Sequence, residues 1–261
     1  MTSARKPDYG LDAPGVVRNL FLCGSAGLIL FTTTALGLWS GIFTVGPAAG
    51  VTLRFPLGQI GLWAGGTCLA MGVWMVWASK IGKIRSRERL LDRIAWTGAE
   101  RVVDVGCGRG LMLVGAARRL TTGQATGVDI WQAEDLSGNR PESTVDNARL
   151  EAVADRVEVK TADMRELPFP DATVDVVVSS SAIHNLSAQV DRARAIREIV
   201  RVLKPGGQAL VDDIRHGREY VAAFASCGCA RVDSVGSLAA ALLLALVTFG
   251  SLRPATLVVR K

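Results

Sequence analysis

A carboxylate and three glycines, Asp104, Gly106, Gly108 and Gly110, follow one another at every second position in the stretch RVVDVGCGRG. The stretch starts as an apolar, β-branched run that is typical of a buried strand, and it continues into LMLVGAARRL, which is typical of a helix. Glycines at a turn from strand to helix let a ligand approach the backbone closely, with the first amide groups of the helix directed at it. The pattern therefore predicts a ligand-binding turn.

Two ligand chemistries compete for such a turn. A dinucleotide with a pyrophosphate is bound by G-x-G-x-x-G, but Leu111 stands where the last glycine of that pattern should be. Further carboxylates follow. Asp129 lies near the end of the run ATGVDI, 19 residues beyond Gly110, and Asp163 lies in TADMRELPFPDATVDVVVSS ahead of another strand. Asp129 is placed like the acid that accepts ribose hydroxyls in nucleotide-binding α/β folds.

Together with LKPGG, which precedes the fifth predicted strand, these motifs occur in the order found in class I S-adenosylmethionine-dependent methyltransferases, and residues 88–215 resemble that family. The resemblance implies S-adenosylmethionine as the cofactor. Asp104 would accept from the methionine ammonium, directly or through water, and the three glycines would permit the close backbone approach. Asp129 would accept the ribose hydroxyls, and Asp163 would accept from the adenine amino group.

The resemblance also implies the residues that line the cofactor, which stand beside these acids and at the end of the fourth strand: Ile130, Trp131, Met164, Ser179 and Ser180. The first two would flank the adenine, and the two serines would face the side of methyl transfer. Asp104 and Asp163 have a structural alternative as the cap of a turn or helix, and Trp131 has one as a packing residue.

Direct displacement of a methyl group from a sulfonium needs a general base only when the acceptor carries a proton at neutral pH, as hydroxyls and carbon acids do. The candidate base is His184 in SSSAIHNL, just past the fourth strand, because imidazole accepts protons near neutrality. A histidine that only orders its loop is the alternative interpretation. His216, Tyr220 and either of Asp212 and Asp213 are further candidates for the substrate side.

The motifs require a sheet that brings several strand ends together. Strands alternating with helices predict a doubly wound, mostly parallel seven-stranded sheet over residues 99–261, which is the Rossmann-like methyltransferase fold that the resemblance implies. The polar segment WQAEDLSGNRPEST is interpreted as a lid over the cofactor or as a surface insertion. The uncharged run at 238–249 is interpreted as a buried helix or strand, with a membrane-dipping lid as the alternative.

The N-terminal part has the composition of a membrane anchor. Residues 19–53 and 55–79 contain no charged side chain, and each stretch supplies the roughly 20 apolar residues that a spanning helix needs. We expect a tail at 1–19, two transmembrane helices within 20–79, at about 20–44 and 57–78, joined by a short turn, and a basic linker with a first helix at 80–98. A cleaved signal peptide and a buried helical hairpin are the alternatives.

Charge predicts the orientation of this anchor. Residues 80–93 contain six Lys and Arg against two acids, so both ends of the hairpin should face the cytoplasm, in a plasma membrane or a bacterial inner membrane. Residues 94–261 contain 20 basic and 20 acidic side chains, which argues against a nucleic-acid partner and favours anionic lipid head groups for the basic linker. The five cysteines lack the spacing of a zinc site, and no metal is expected.

These expectations combine into a membrane-anchored S-adenosylmethionine-dependent methyltransferase that acts on a hydrophobic or amphipathic small molecule, such as a lipid, a quinone-like compound or an isoprenoid, by direct methyl displacement. One alternative is a methyltransferase for a membrane protein or for a small soluble thiol, arsenical or halide. An alternative of a different class is a non-catalytic, membrane-tethered cofactor-binding protein. The sequence leaves the acceptor atom and the oligomeric state open.

Overall fold

A computed structural model describes residues 6–48, 51–132, 134–236 and 252–261, together with Leu244, Leu246 and Thr248. The chain divides into two compact units. The larger one, here called the catalytic unit, consists of the segment ending at Tyr9, residues 84–133 and residues 138–261, and the hairpin unit consists of residues 10–83 and 134–137. The run predicted at 238–249 lies almost wholly outside the described residues.

The catalytic unit contains a seven-stranded sheet, as predicted. Its strands are β3 (Arg101–Val105), β4 (Gln124–Asp129), β5 (Val157–Thr161), β6 (Val174–Ser180), β7 (Leu203–Asp213), β8 (Arg231–Val235) and β9 (Ala255–Arg260). They lie in the order β5-β4-β3-β6-β7-β9-β8. β9 pairs antiparallel with both of its neighbours and the other pairs are parallel, so the carboxyl ends of β3, β4, β6 and β7 meet at one edge.

Helices cover both faces of this sheet because its central strands are apolar on both sides. They are α3 (Lys83–Leu91), α4 (Leu111–Ala117), α5 (Pro141–Leu150), α6 (Gln189–Val202) and α7 (Gly217–Ser226). One core cluster contains Ile196, Ile199 and Phe224, and the other contains Leu91 and Leu113. α5 begins inside the polar segment WQAEDLSGNRPEST, because Pro141 can start a helix, where a missing amide hydrogen has no cost.

The hairpin unit pairs α1 (Pro14–Ala35) with α2 (Leu57–Trp77), and a π-helical turn (Ala78–Gly82) continues α2. The first helix is displaced from the expected 20–44, because it begins at Pro14 and ends before Gly37, which takes a positive φ of 70°. The expected short turn is instead an antiparallel pair of strands, β1 (Ile42–Ala48) and β2 (Val51–Pro56). Helices 14–35 and 57–91 are long and apolar enough to cross a membrane.

Glycines form the interface between α1 and α2. A Cβ atom at Gly27 would lie 2.7 Å from the carbonyl oxygen of Gly61, and one at Gly65 would lie 2.9 Å from that of Gly24. Large apolar side chains point outward instead, with Leu22 62% and Trp63 75% exposed. This arrangement places small residues inside and large apolar residues outside, the reverse of a helix pair in water.

Candidate functional site

The glycine turn joins β3 to α4 at the carboxyl edge of the sheet, where parallel α/β folds bind ligands. Gly106, Gly108 and Gly110 all have positive φ angles, of 72°, 53° and 82°, which other residues adopt only with strain. A Cβ atom at Gly106 would lie 2.2 Å from that of Ala182, in the loop after β6. The turn therefore needs glycine both for its backbone and for its contact with that loop.

Asp104 lies beneath the turn and is almost fully buried. Its Oδ2 accepts from the amide of Leu113 at 2.8 Å, whereas its Oδ1 is buried and has no hydrogen-bond partner among the described residues. The pKa of Asp104 is raised to about 8, mainly by burial and to a smaller extent by the nearby Asp129, while the hydrogen bond from the Leu113 amide opposes the rise. The site thus contains a buried carboxyl oxygen without a partner among the described residues, and this oxygen can accept from a cationic donor once the carboxyl group is ionised.

Asp129 ends β4 beside the turn. Its Oδ2 accepts from the amide of Gly108 at 2.8 Å, and its Oδ1 accepts from the amide of Trp131 at 2.6 Å and from Nδ2 of Asn139 at 3.3 Å. Each oxygen has two lone pairs, so Oδ2 retains capacity for a further donor. Asp129 therefore fixes the turn and remains able to bind a ligand.

Asn139 is a site residue that the sequence did not single out. It lies in the polar segment after β4, and its Oδ1 is buried without a partner among the described residues, while its Nδ2 donates to Asp129 and to the carbonyl of Gln132. A buried carbonyl oxygen without a donor is costly. The residue types in its segment give no signal for this role, because only the fold brings Asn139 to Asp129.

Ile130 and Trp131 differ in their surroundings. Ile130 is 48% exposed at the sheet edge. Trp131 has a positive φ of 61°, which is strained for a large side chain, and its Nε1 donates to Oγ1 of Thr161 at the end of β5 at 2.7 Å. The tryptophan therefore covers the ends of β4 and β5 in a conformation held by its hydrogen bonds.

Asp163 and Met164 follow β5 and point in different directions. Both oxygens of Asp163 accept from Arg165, through its backbone amide and its guanidinium at 2.7 to 3.0 Å, and this hydrogen bonding lowers the pKa of Asp163. Met164 Cε lies 3.6 Å from the Cβ position of Gly106. Met164 therefore lies at the glycine turn. The Asp163 carboxylate already accepts from Arg165, so an adenine amino group would have to share this carboxylate with the guanidinium.

The two serines at the end of β6 also differ. Ser179 is almost fully buried and donates to the carbonyl of Val105 at 2.8 Å, so its hydroxyl ties β6 to β3. Ser180 is half-buried at the end of the strand, and Ser181 follows with a positive φ of 53°. The Ser179 hydroxyl is therefore engaged within the sheet, whereas Ser180 lies at the carboxyl edge of the sheet.

His184 lies opposite the buried Asp213 at the end of β7. The distance from His184 Nδ1 to Asp213 Oδ1 is 2.5 Å, and the His184 amide donates to Asp213 Oδ2 at 3.0 Å. Tyr220 and the amide of Ile214 also donate to this carboxylate. Asp213 therefore fixes the imidazole ring with Nδ1 engaged, which leaves Nε2 for other partners.

Asp212 and His216 extend the polar group around this pair. Burial raises the pKa of Asp212, and Thr256 Oγ1 donates to its Oδ1 at 2.5 Å. His216 stands before α7 with its Nδ1 3.2 Å from Glu219 Oε2. Asp213 and Tyr220 are candidates for the substrate side from the sequence alone, but only the structure shows that they contact one another and that Asp213 contacts His184.

The residues around the turn fit S-adenosylmethionine. Two buried oxygens have no partner among the residues that the structure describes: Asp104 Oδ1, next to the Leu113 amide contact, and Asn139 Oδ1, on the side chain that donates to Asp129. A dinucleotide shares the ribose hydroxyls and the adenine amino group with S-adenosylmethionine, so the two ligands differ at the turn: S-adenosylmethionine offers a cationic ammonium donor, whereas a dinucleotide offers an anionic pyrophosphate. The donor and acceptor balance of the site therefore matches the predicted cofactor better than a dinucleotide.

Comparison with known proteins supports the same class. Residues 103–211 match the family model described as "Methyltransferase domain". The chain is 34% identical over 132 residues to 27-O-demethylrifamycin SV methyltransferase of Amycolatopsis mediterranei, covering 49% of this chain and 44% of that protein. It is 33% identical over 128 residues to the ubiquinone/menaquinone biosynthesis C-methyltransferase UbiE of Geobacter sulfurreducens, covering 49% and 46%.

The chain thus spans less than half the length of these two curated relatives. Among solved structures, the [4+2]-cyclase SpnF shares the fold, with a TM-score of 0.55, 23% identity and coverage of 68% of this chain and 80% of that one. The Rossmann-like methyltransferase fold is therefore confirmed for the sheet and its flanking helices, and residues 103–211 match a methyltransferase domain. The match supports S-adenosylmethionine as the cofactor.

Proposed function

We propose that this chain is a membrane-anchored methyltransferase that transfers the methyl group of S-adenosylmethionine to a hydrophobic or amphipathic small molecule, at a hydroxyl or an acidic carbon. The observation that carries the proposal is the His184–Asp213 pair, because one loop holds both Ala182 against Gly106 and His184 against Asp213. Only Ile183 separates Ala182, which contacts the cofactor turn, from His184, the candidate base.

The cofactor supplies an activated methyl group on a sulfonium, so the protein needs only to align the reactants and exclude water. Three side chains would accept from the hydrogen-bond donors of the cofactor: Asp104, Asn139 and Asp129. The glycine turn would contact the cofactor through its backbone. Met164 and Ala182, which meet at Gly106, would close the site toward the methionine end.

His184 would remove the proton of the acceptor at Nε2. Asp213 accepts from Nδ1–H, which sets the tautomer with a free Nε2 and stabilises the imidazolium after proton transfer. Tyr220 donates to the other oxygen of Asp213 at 3.1 Å and keeps that carboxylate in place. A base of this kind is useful for a hydroxyl or an acidic carbon and unnecessary for a thiolate, which favours the former acceptors.

The hairpin unit supports membrane anchoring. Its helices pack through glycines and present Leu22, Ile29 and Trp63 outward, an arrangement that lipid solvates and water does not. The segment ending at Tyr9 and the helix that starts at Lys83 both enter the catalytic unit, so the chain between them must leave and return on one side of a membrane. An even number of crossings follows, and the excess of Lys and Arg at 80–93 favours the cytoplasmic side for the catalytic unit.

A mechanism that binds an arsenical through several protein thiols is not favoured, because the described cysteines of the catalytic unit belong to two different core clusters. Burial raises the pKa of Cys107 well above its usual range, so its thiol stays neutral within the glycine turn. Cys227 and Cys229 pack against the core cluster of the sheet. None of these cysteines is placed as a reactive thiolate, whereas methylation of a membrane protein is left to experiment.

The first experiment is calorimetric titration of the detergent-solubilised chain with S-adenosylhomocysteine, with NADH as the competing ligand and Asp129→Asn as the control. We expect binding of the sulfur nucleotide only, weakened at least tenfold by the substitution. A folded chain that binds neither ligand would favour a non-catalytic protein, and binding of NADH would favour a dinucleotide.

The second experiment identifies the acceptor class. Membranes would be incubated with the chain and methyl-labelled S-adenosylmethionine, and label would be separated into organic phase, aqueous phase and protein. The proposal requires label in the organic phase that His184→Ala abolishes. Label in a protein band would establish methylation of a membrane protein, and release of the chain by alkaline carbonate would contradict the anchor.

A further inference from the structure

We infer that the N-terminal segment, which precedes the membrane hairpin in the chain, is a working part of the cofactor site, and that Asp8 and Tyr9 are positioning residues for the glycine turn. Both residues belong to the catalytic unit. The inference rests on the proposed function for the identity of the ligand. It assigns a role to residues that the sequence predicts only as a tail before the first apolar helix.

The first step is that α5 holds the glycine turn. Oγ1 of Thr144 donates to the carbonyl of Gly108 at 2.6 Å, and Nδ2 of Asn147 donates to the carbonyl of Arg109 at 2.9 Å. A Cβ atom at Gly110 would also lie 2.7 Å from Cγ2 of Thr144. The shape of the turn therefore depends on where α5 lies.

The second step is that residue 8 holds Asn147. The backbone amide of Asp8 donates to Oδ1 of Asn147 at 2.9 Å, and Nδ2 of Asn147 donates to the backbone carbonyl of Asp8 at 2.9 Å. The Asp8 carboxylate also lies 3.3 Å from Nη2 of Arg109, within the turn itself. Asn147 thus makes three hydrogen bonds, two with Asp8 and one with the Arg109 carbonyl. Without the segment it would keep only the last, and its amide would be free to turn away from Arg109.

The third step is that Tyr9 fixes the segment at the end of α5. Its ring is only 4% exposed, and its hydroxyl donates to Oε1 of Glu151 and accepts from Nη1 of Arg87 at 3.0 Å. Arg87 is equally buried and also donates to both oxygens of Glu151. A buried polar group of this kind stabilises only when it is complete, so the segment docks as a unit.

These contacts form a continuous path from Tyr9 through Glu151 and α5 to the carbonyls of Gly108 and Arg109. Loss of either end loosens the turn that would receive the cofactor. The effect should appear in cofactor affinity and in the mobility of the turn, in excess of any general loss of stability. The segment also continues into α1, which starts at Pro14, so the cofactor site and the anchor share one stretch of chain.

The test is the dissociation constant of S-adenosylhomocysteine for the full chain in detergent, with amide hydrogen exchange of residues 106–110 measured without ligand. We expect Asn147→Ala and Tyr9→Ala to weaken binding about tenfold and to speed exchange in the turn. If Tyr9→Ala does not fold, Tyr9→Phe removes only the hydroxyl, and about threefold weaker binding is expected.

Trp96→Phe is the matched control, because it removes one hydrogen bond within the same unit, to the carbonyl of Leu91 at 2.8 Å, away from the turn. It should lower thermal stability without changing the affinity or exchange of the turn. Folded Tyr9 and Asn147 variants with the affinity of the unmodified chain would overturn the inference and leave the proposed function intact. Absence of binding by the unmodified chain would instead refute the proposed function.

Discussion

Asp104 gives the sharpest quantitative prediction, because its burial links cofactor binding to proton release. Burial raises its pKa to about 8 from an ordinary value of 3.8, with Asp129 as the charged neighbour and the Leu113 amide opposing the shift. At pH 7 about nine in ten ligand-free molecules would therefore carry a proton on Asp104. The carboxylate has to lose that proton before it can accept from the ammonium of the ligand.

Binding of S-adenosylhomocysteine at pH 7 should thus release about 0.9 proton per site. Its affinity should be about 50-fold lower at pH 6 than at pH 8, because the ionised fraction of Asp104 falls from about one half to about one hundredth. Calorimetric titrations in two buffers of different ionisation enthalpy measure the proton release directly. The ligand ammonium remains charged throughout this range, so the protein supplies the proton.

Asp104→Asn is the matched variant, because its amide oxygen can still accept from Leu113 at the 2.8 Å position of Oδ2. It should bind more weakly and release no proton, with an affinity that no longer rises from pH 6 to pH 8. The unmodified chain should also lose stability as pH rises from 4 to 8, since a raised pKa means that the folded state binds the extra proton, and the variant should lack this slope. Binding without proton release would refute the reasoning.

Three further predictions concern the rest of the molecule. His184→Ala should lower the rate at saturating cofactor at least about a hundredfold, and Asp213→Asn should do so while leaving the affinity for S-adenosylhomocysteine within a few-fold, as measured by single-turnover transfer and calorimetry. Gly65→Ala should lower the melting temperature in detergent because its Cβ would meet Gly24 at 2.9 Å, whereas Gly66→Ala, with open space around it, should not. Ser179→Ala should cost about 1–2 kcal/mol in chemical denaturation without altering cofactor affinity, since only the bond to Val105 is lost.

The sequence could predict those features that depend on local chemistry. A glycine is needed wherever φ is positive, so the turn at 106–110 is visible in the residue types alone. Apolar runs of strand length and amphipathic helices between them are sufficient to predict a mostly parallel sheet and the edge at which Asp104, Asp129 and His184 lie. The uncharged stretches at 19–53 and 55–79 likewise predict two long apolar helices.

Only the tertiary structure decided which side chains meet. His184 and Asp213 are 29 residues apart and become a pair because β6 and β7 are neighbours. Asn139 becomes an acceptor at the site through its contact with Asp129, and Tyr9 reaches Glu151 across 142 residues of chain. Residue types and local periodicity contain no record of such long-range contacts, because they arise from the packing of whole elements. The sequence by itself therefore determined the glycine turn, the sheet and the apolar helices. The fold determined the hydrogen-bond acceptors of the site, the pairing of His184 with Asp213 and the role of the N-terminal segment.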